Sequence, residues 1–216
     1  TVCTSDIGCV TSTNYLWYGP VVGDAIRVMF ECIPAWPNAG LFWGIVDKYV
    51  VNIRYIAPTA IRSLMSFCLD PLKEKDLSSL KVLGTVGEPI NEEAWHWYDE
   101  NIGKNKCPIV DTWWQTETGG ILISNIAGIT PAKPGWATLP MPGVQPVLMN
   151  EHGKEATEPD EHGMLKGNLC IKAPWPGILR NTYGDHERCR PNYFSTYGTL
   201  YFKVDGALKD KGGNYS

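Results

Sequence analysis

Helix-like and strand-like segments alternate between residues 41 and 112, and this alternation limits the possible folds more than any other feature. Apolar residues within 41–50 recur at helical spacing, whereas residues 80–86 favour a short buried strand. Asn91 is a suitable N-cap, with two glutamates in the following turn. Strands are predicted at 52–56, 80–86 and 108–112, and helices at 41–50, 58–65 and 92–103. This order predicts an α/β fold with a mainly parallel sheet.

The sequence changes character after about residue 130. Five prolines fall between residues 131 and 146, and no long helical period follows. Residues 146–149, 165–172 and 199–203 favour strands joined by turns, and 25–31 has a shorter β-prone core. We therefore expect two parts, an α/β subdomain at 1–130 and a β-rich subdomain at 131–216, each incomplete.

Composition argues against several classes of protein. The net charge is −4 and the basic residues are scattered, which disfavours nucleic-acid binding. No apolar run approaches the roughly 20 residues that span a bilayer. The seven cysteines are widely spaced and include no C-x-x-C pair, which disfavours a zinc site or a disulfide framework. Reduced cysteines favour a cytoplasmic protein, with a mitochondrial or nuclear pool left open.

The segment 111–120, DTWWQTETGG, has the strongest chemical character in the chain. It follows a predicted strand, and ligands of open α/β sheets bind beyond the carboxyl ends of strands. Thr116 offers an oxygen to a phosphate or a metal, and Glu117 suits Mg²⁺ that is held together with phosphates. Residue types and spacing alone leave an ordinary loop as an equal alternative.

The same segment resembles a motif of the adenylate-forming enzyme superfamily, in the form typical of acetyl-CoA synthetases. Further blocks of that family follow in the same order along almost the whole chain: TSDIG at 4–8, YIAPTAIR at 55–62, VGEPIN at 86–91, WPG at 175–177, YGDHER at 183–188 and YFST at 193–196. The resemblance implies part of the N-terminal domain of such an enzyme, with a mainly parallel sheet and part of a β-rich subdomain.

The resemblance also implies roles for individual residues. Gly87, Glu88 and Pro89 match the segment that cradles the adenine. The stretch lining the nucleotide corresponds to Asp111, Thr112, Trp113, Trp114, Gln115 and Thr116. Thr116 would contact phosphate and Glu117 would associate with Mg²⁺, so these two are the candidate catalytic residues. Asp205 matches the aspartate that binds the ribose hydroxyls, although an Asp-Gly pair between β-prone segments is by itself more typical of a hairpin turn.

Trp114 is the expected determinant of substrate choice. In the acetyl-CoA synthetases that this segment resembles, a tryptophan at this position forms the floor of the acyl pocket, together with residues matching Val10, Thr11 and Val86. A rigid indole would leave room for a methyl group, and overpacking such a pocket costs about 1–3 kcal/mol. The alternative is that Trp114 only fills the core.

Some positions depart from the family pattern. Val204 stands where glycine usually precedes the ribose-binding aspartate. Ala35 replaces an asparagine that contacts CoA in relatives, which weakens the prediction of CoA binding.

The chain starts with Thr1, and we expect an internal fragment without the family's phosphate loop and C-terminal domain. The intact enzyme would convert acetate and ATP to acetyl-AMP, with Mg²⁺, and pass the acetyl group to CoA. Alternatives are a noncatalytic nucleotide-binding or structural fragment, and a propionate–CoA ligase. The sequence does not predict an oligomeric state.

Overall fold

The computed structural model describes residues 1–31, 33, 36–67 and 69–216. Ala35, and with it the expectation about CoA contact, lies outside these residues. The strands are β1 (Val2–Cys3), β2 (Ile53–Ile56), β3 (Val82–Thr85), β4 (Ile109–Trp113), β5 (Ile123–Ser124), β6 (Pro146–Met149), β7 (Leu165–Ile171) and β8 (Tyr201–Lys209). The α-helices are α1 (Val10–Ser12), α2 (Gly19–Val22), α3 (Leu41–Tyr49), α4 (Pro58–Met65), α5 (Glu92–Trp97) and α6 (His186–Phe194), with π-helical turns at Thr13–Tyr18 and Tyr98–Gly103.

The first sheet confirms the predicted α/β architecture. Its order is β1-β2-β3-β4-β5; the first four strands are parallel and β5 pairs antiparallel with β4. The helices α4 and α5 follow β2 and β3, as the alternation of segments predicted. Because parallel strands point the same way, the loops after β2, β3 and β4 meet at one edge of the sheet.

The main hydrophobic core lies between this sheet and its helices. Trp43 and Val46 of α3, Leu83 of β3, and Tyr98 and Ile102 are almost fully buried within it. The spacing of Tyr98 and Ile102 places both on the inner face of the segment that follows Asn91. This segment continues past α5 as a π-helical turn that ends at Gly103.

A second, antiparallel sheet contains β6, β7 and β8 in that order. β6 agrees with the prediction, and β7 does so to within one residue. β8 is longer than predicted, because it runs from Tyr201 through Asp205 to Lys209. The hairpin-turn interpretation of Asp205-Gly206 is wrong, since Gly206 pairs with Asn168 within the sheet.

Two other local expectations differ from the structure. The β-prone segment 25–31 forms no strand and makes a single bridge, from Val28 to Val2. The hydrophobic pattern of the sequence predicted neither of two helical segments, 10–22 and α6. α6 has no buried residue and contains Pro191, so it lacks the apolar stripe that reveals a helix.

In the part of the chain that the structure describes, no helix combines the length and the apolar character needed to cross a bilayer.

Candidate active site

A cavity of about 710 Å³ opens at the carboxyl ends of β3 and β4 and extends to β8. This volume is in the range of small-molecule sites. The predicted site residues that line it are Val10, Thr11, Val86, Gly87, Glu88, Pro89, Asp111, Thr112, Trp113, Trp114, Gln115, Thr116 and Asp205. Glu117 is the one predicted site residue that does not line it. Residues far apart in sequence thus share one cavity, with the two sheets on either side.

Trp114 forms part of the cavity wall and is held by a directed series of hydrogen bonds. Its indole N–H donates to the hydroxyl of Tyr55 at 3.1 Å, and that hydroxyl lies 2.6 Å from the hydroxyl of Thr112. Thr112 donates to the carbonyl of Thr85 at 2.7 Å, so Tyr55 must donate to Thr112. Tyr15 packs edge-on at 5.2 Å between ring centroids. These contacts fix the indole plane, and Trp114 is 8% exposed.

Trp113 and Gln115 orient the carboxylate of Asp205 from across the cavity. The indole N–H of Trp113 donates to Oδ2 of Asp205 at 3.1 Å, and the amide of Gln115 donates to the same oxygen at 2.7 Å. Tyr201 in turn donates to Oε1 of Gln115 at 2.5 Å. Within the described residues, Oδ1 of Asp205 has no hydrogen-bond partner. One carboxylate oxygen is therefore fixed by the protein, and the other remains able to accept.

Glu88 is tied to the start of α4. The backbone N–H of Thr59 donates to Oε1 of Glu88 at 2.5 Å, and the hydroxyl of Thr59 donates to the same oxygen. Arg62 pairs with Oε2 at 2.9 Å. Burial opposes ionisation, but the bonds from Thr59 and Arg62 outweigh it and hold the pKa of Glu88 below its usual value. These contacts anchor the loop at Gly87, which needs a positive φ of 97°.

Asp111 is a buried carboxyl group at the cavity wall. Its Oδ1 accepts from the hydroxyl of Thr85 at 2.7 Å and from the backbone N–H of Thr112 at 3.1 Å. Burial raises its pKa to about 6 despite these two hydrogen bonds. Its charge therefore changes close to neutral pH.

Glu117 lies behind the cavity wall, in a 3₁₀ turn that Gln115 and Thr118 cap reciprocally. Its Oε1 accepts from the ammonium group of Lys203, and from the hydroxyl of Tyr193 at 3.0 Å. Burial alone would raise the pKa of Glu117, but the bonds from Lys203 and Tyr193 hold it below its usual value. Oε2 is buried without a hydrogen-bond partner among the described residues.

The WPG block at 175–177 supports this turn from outside. The indole N–H of Trp175 donates to the carbonyl of Thr118 at 2.8 Å. A Cβ on Gly119 would come within 2.2 Å of the carbonyl oxygen of Gly177, and Gly119 has a φ of 72°. Only glycine meets both conditions, so the block and the motif at 111–120 fit each other directly.

Sequence reasoning missed Lys203, which lines the cavity. A signal was present, because Lys203 stands only two residues before Asp205, the expected ribose contact. The turn interpretation of Asp205 concealed it. Among the described residues that line the cavity, Lys203 is the one basic side chain.

A family model described as AMP-binding enzyme matches residues 1–180. The chain belongs to this family. The match includes the loops after β3 and β4 and the motif at 111–120, whereas β8 lies beyond it.

Curated relatives of this chain are acetyl-coenzyme A synthetases from bacteria. The chain is 55% identical to one from a strain of Methylorubrum extorquens, 54% to that of Syntrophobacter fumaroxidans and 52% to one from Leptospira biflexa. Each similarity covers 213 residues, 99% of this chain and 32% of the relative. The chain therefore spans about a third of the length of these relatives.

Proposed function

We propose that this chain is the nucleotide- and acyl-binding part of an AMP-forming acetate–CoA ligase. Its substrates would be acetate, ATP and CoA, and it would act in the cytoplasm. The observation that carries the proposal is the single cavity that brings the loop at Gly87, the strand end at Trp113-Trp114 and Asp205 together. The relatives named acetyl-coenzyme A synthetase support the same reaction.

The polar part of the cavity suits a nucleotide. Gly87–Pro89 and Trp113 would face the adenine, because a glycine loop permits close approach and an indole offers a flat surface for stacking. Asp205 would accept hydrogen bonds from the ribose hydroxyls through its unpaired Oδ1. The hydroxyl of Thr116 would donate to the phosphate.

The apolar part suits a short acyl group. Trp114 and Val86 belong to one buried cluster, with Val10 packed against it, and Thr11 lines the cavity beside them. The hydrogen bond from Trp114 to Tyr55 prevents the indole from swinging aside for a longer chain. Overpacking at such a site costs about 1–3 kcal/mol, or roughly tenfold to hundredfold in discrimination.

Glu117 would be the protein ligand of Mg²⁺. Its buried, unpartnered Oε2 fits one metal contact. Mg²⁺ is commonly held by one or two carboxylates together with phosphates and water, so a cluster of protein ligands is not required. The described residues contain no group of three or more His, Cys, Asp or Glu placed to hold a metal. When bound, the ion would neutralise charge on the triphosphate.

The chain's own residues would act by holding reactants. Asp205 and the loop at Gly87 would orient the nucleotide, and Trp114 would hold the acetate methyl so that its carboxylate faces the α-phosphate. Fixing two reactants in this way lowers the barrier through orientation alone. The subsequent transfer to CoA has no assigned residue within the described part of the chain.

Binding of adenylate analogues tests the proposal. By isothermal titration calorimetry, the chain should bind adenosine 5′-ethylphosphate at least tenfold more tightly than the 5′-pentylphosphate, since the indole blocks the longer chain. Trp114→Gly should remove this difference. Trp36→Gly, at an indole that is 67% exposed and outside the cavity, is the matched control and should preserve it.

A preference for the ethyl compound that survives Trp114→Gly would refute the acyl-pocket assignment. The reaction itself is tested in the Methylorubrum extorquens synthetase with its matching segment replaced by this chain. That protein should release pyrophosphate from ATP with acetate, and more slowly with propionate; failure to do so would refute the ligase assignment.

A further inference from the structure

Lys203 links Glu117, the candidate site residue that does not line the cavity, to the cavity itself. It lies in β8, lines the cavity, and its ammonium group pairs with Oε1 of Glu117. Its backbone carbonyl also accepts from the side-chain amide of Gln115 at 3.2 Å. The Lys203 side chain is 42% exposed and that of Glu117 is 12% exposed, so the buried carboxylate holds a cation that still reaches solvent.

The charge balance of the cavity gives this cation a particular importance. The carboxylates of Glu88, Asp111 and Asp205 also line it. Glu88 is neutralised by Arg62, which is not a lining residue. Without Lys203, a phosphate entering this space would meet carboxylates and no compensating basic group among the described lining residues.

Lys203 and Asp205 both line the cavity, although β8 is not a regular strand between them. Val204 has a φ of 52°, and the pairing with β7 shifts register at this point. Asp205 is the proposed ribose contact, and Lys203 is the basic side chain within two residues of it. A nucleotide held at Asp205 would therefore bring its phosphate towards Lys203 and the neighbouring Thr116.

We propose that Lys203 contacts the nucleotide phosphate and supplies part of the positive charge that a divalent metal would otherwise provide. This inference rests on the proposed function. Its consequence is that a nucleoside monophosphate binds to this site with little help from Mg²⁺. The ammonium would keep Glu117 fixed while its remaining hydrogens donate to phosphate oxygens.

The test compares AMP with adenosine, which lacks the phosphate, by isothermal titration calorimetry of the 216-residue chain in EDTA. Lys203→Met should weaken AMP binding roughly tenfold or more, since a charge-assisted hydrogen bond is lost, and should change adenosine binding less than about twofold. Lys203→Arg should retain most of the AMP affinity. With Mg²⁺ present, the loss in Lys203→Met should be smaller.

Lys172→Met is the matched control, because Lys172 also pairs with a glutamate, Glu155, but does not line the cavity. It should leave both affinities unchanged. Lys203→Gln is a second charge-removing variant, and circular dichroism verifies that each variant is folded.

Three results would overturn the inference. The first is an unchanged AMP affinity in a folded Lys203→Met or Lys203→Gln variant. The second is an equal loss for AMP and adenosine, which would assign Lys203 to the shape of the site. The third is a loss that appears only with Mg²⁺. Failure of the unmodified chain to bind either compound would instead refute the proposed function, and the inference with it.

Discussion

Arg54 offers the sharpest test of how this fold is stabilised, because its guanidinium is buried without a hydrogen-bond acceptor among the described residues. The residue is 1% exposed, and none of its three side-chain nitrogens has a partner there. Its guanidinium carbon lies 4.2 Å from the ring centroid of Trp43 and 5.2 Å from that of Phe42. Burial lowers the pKa of Arg54, which shows that the environment disfavours the charge.

Replacing Arg54 by methionine should therefore stabilise the chain. Each buried polar atom without a partner costs about 1–3 kcal/mol, so three nitrogens together cost about 3–9 kcal/mol. The two aromatic contacts recover about 0.5–2 kcal/mol each. Methionine keeps an unbranched stem that packs on the same rings. The free energy of unfolding should rise by about 2–5 kcal/mol.

Urea denaturation, followed by tryptophan fluorescence, measures this change. With a slope of about 3 kcal/mol per molar, the midpoint should rise by roughly 0.7 M or more. Arg54→Lys retains a buried charge and should be less stable than Arg54→Met. Arg180→Met, at an exposed arginine, is the control and should change stability by less than about 0.5 kcal/mol. If Arg54→Met lowers the midpoint, the aromatic contacts outweigh desolvation and the reasoning is wrong.

Two further predictions concern residues at the cavity. Val204 is β-branched and has a φ of 52°, so Val204→Gly should raise the free energy of unfolding, measured in urea, by about 0.5–1 kcal/mol. Val22→Gly is the control: Val22 is similarly exposed but lies within α2, so this change should lower the free energy of unfolding. A destabilised Val204→Gly would contradict the inferred strain. The pKa of Asp111 is raised to about 6 in the folded chain, against 3.8 in a free carboxyl group. The protonated carboxyl group therefore contributes up to about 3 kcal/mol to the free energy of unfolding. This contribution is complete below pH 3.8 and is lost as the pH rises through about 6. Asp111→Asn should therefore flatten the dependence of unfolding free energy on pH between about 4 and 7, and an unchanged slope, measured by urea denaturation across that range, would refute the assignment.

The parallel sheet could be predicted because its determinants are local. Each strand from β2 to β4 is a short apolar run, and helices α4 and α5 have clear starts at Pro58 and Asn91. The edge at which the loops meet follows from the parallel arrangement. The local pattern therefore predicts where a site would lie, whereas the expected roles of Gly87 and Trp114 depended on the family resemblance.

The side of the cavity at β8 depends on contacts that sequence patterns do not encode. Asp205 was ambiguous because an Asp-Gly pair commonly turns a chain, whereas here Gly206 pairs with Asn168 of β7 and the strand continues to Lys209. Its orientation comes from Trp113 and Gln115, which lie 92 and 90 residues away in the chain. The position and orientation of Asp205 therefore depend on packing between the two sheets, which the local sequence does not predict.

At Val204, local backbone conformation and the tertiary arrangement of the cavity both act on one residue. Val204 is 84% exposed and lines the cavity together with its neighbours Lys203 and Asp205. The regular alternation of a strand is interrupted here, since Val204 has a φ of 52° and the pairing with β7 shifts register. A glycine would adopt this conformation without strain. Since the strained residue joins the proposed ribose and phosphate contacts, relieving it by Val204→Gly should stabilise the fold while leaving the ratio of AMP to adenosine affinity unchanged, because that ratio depends on Lys203.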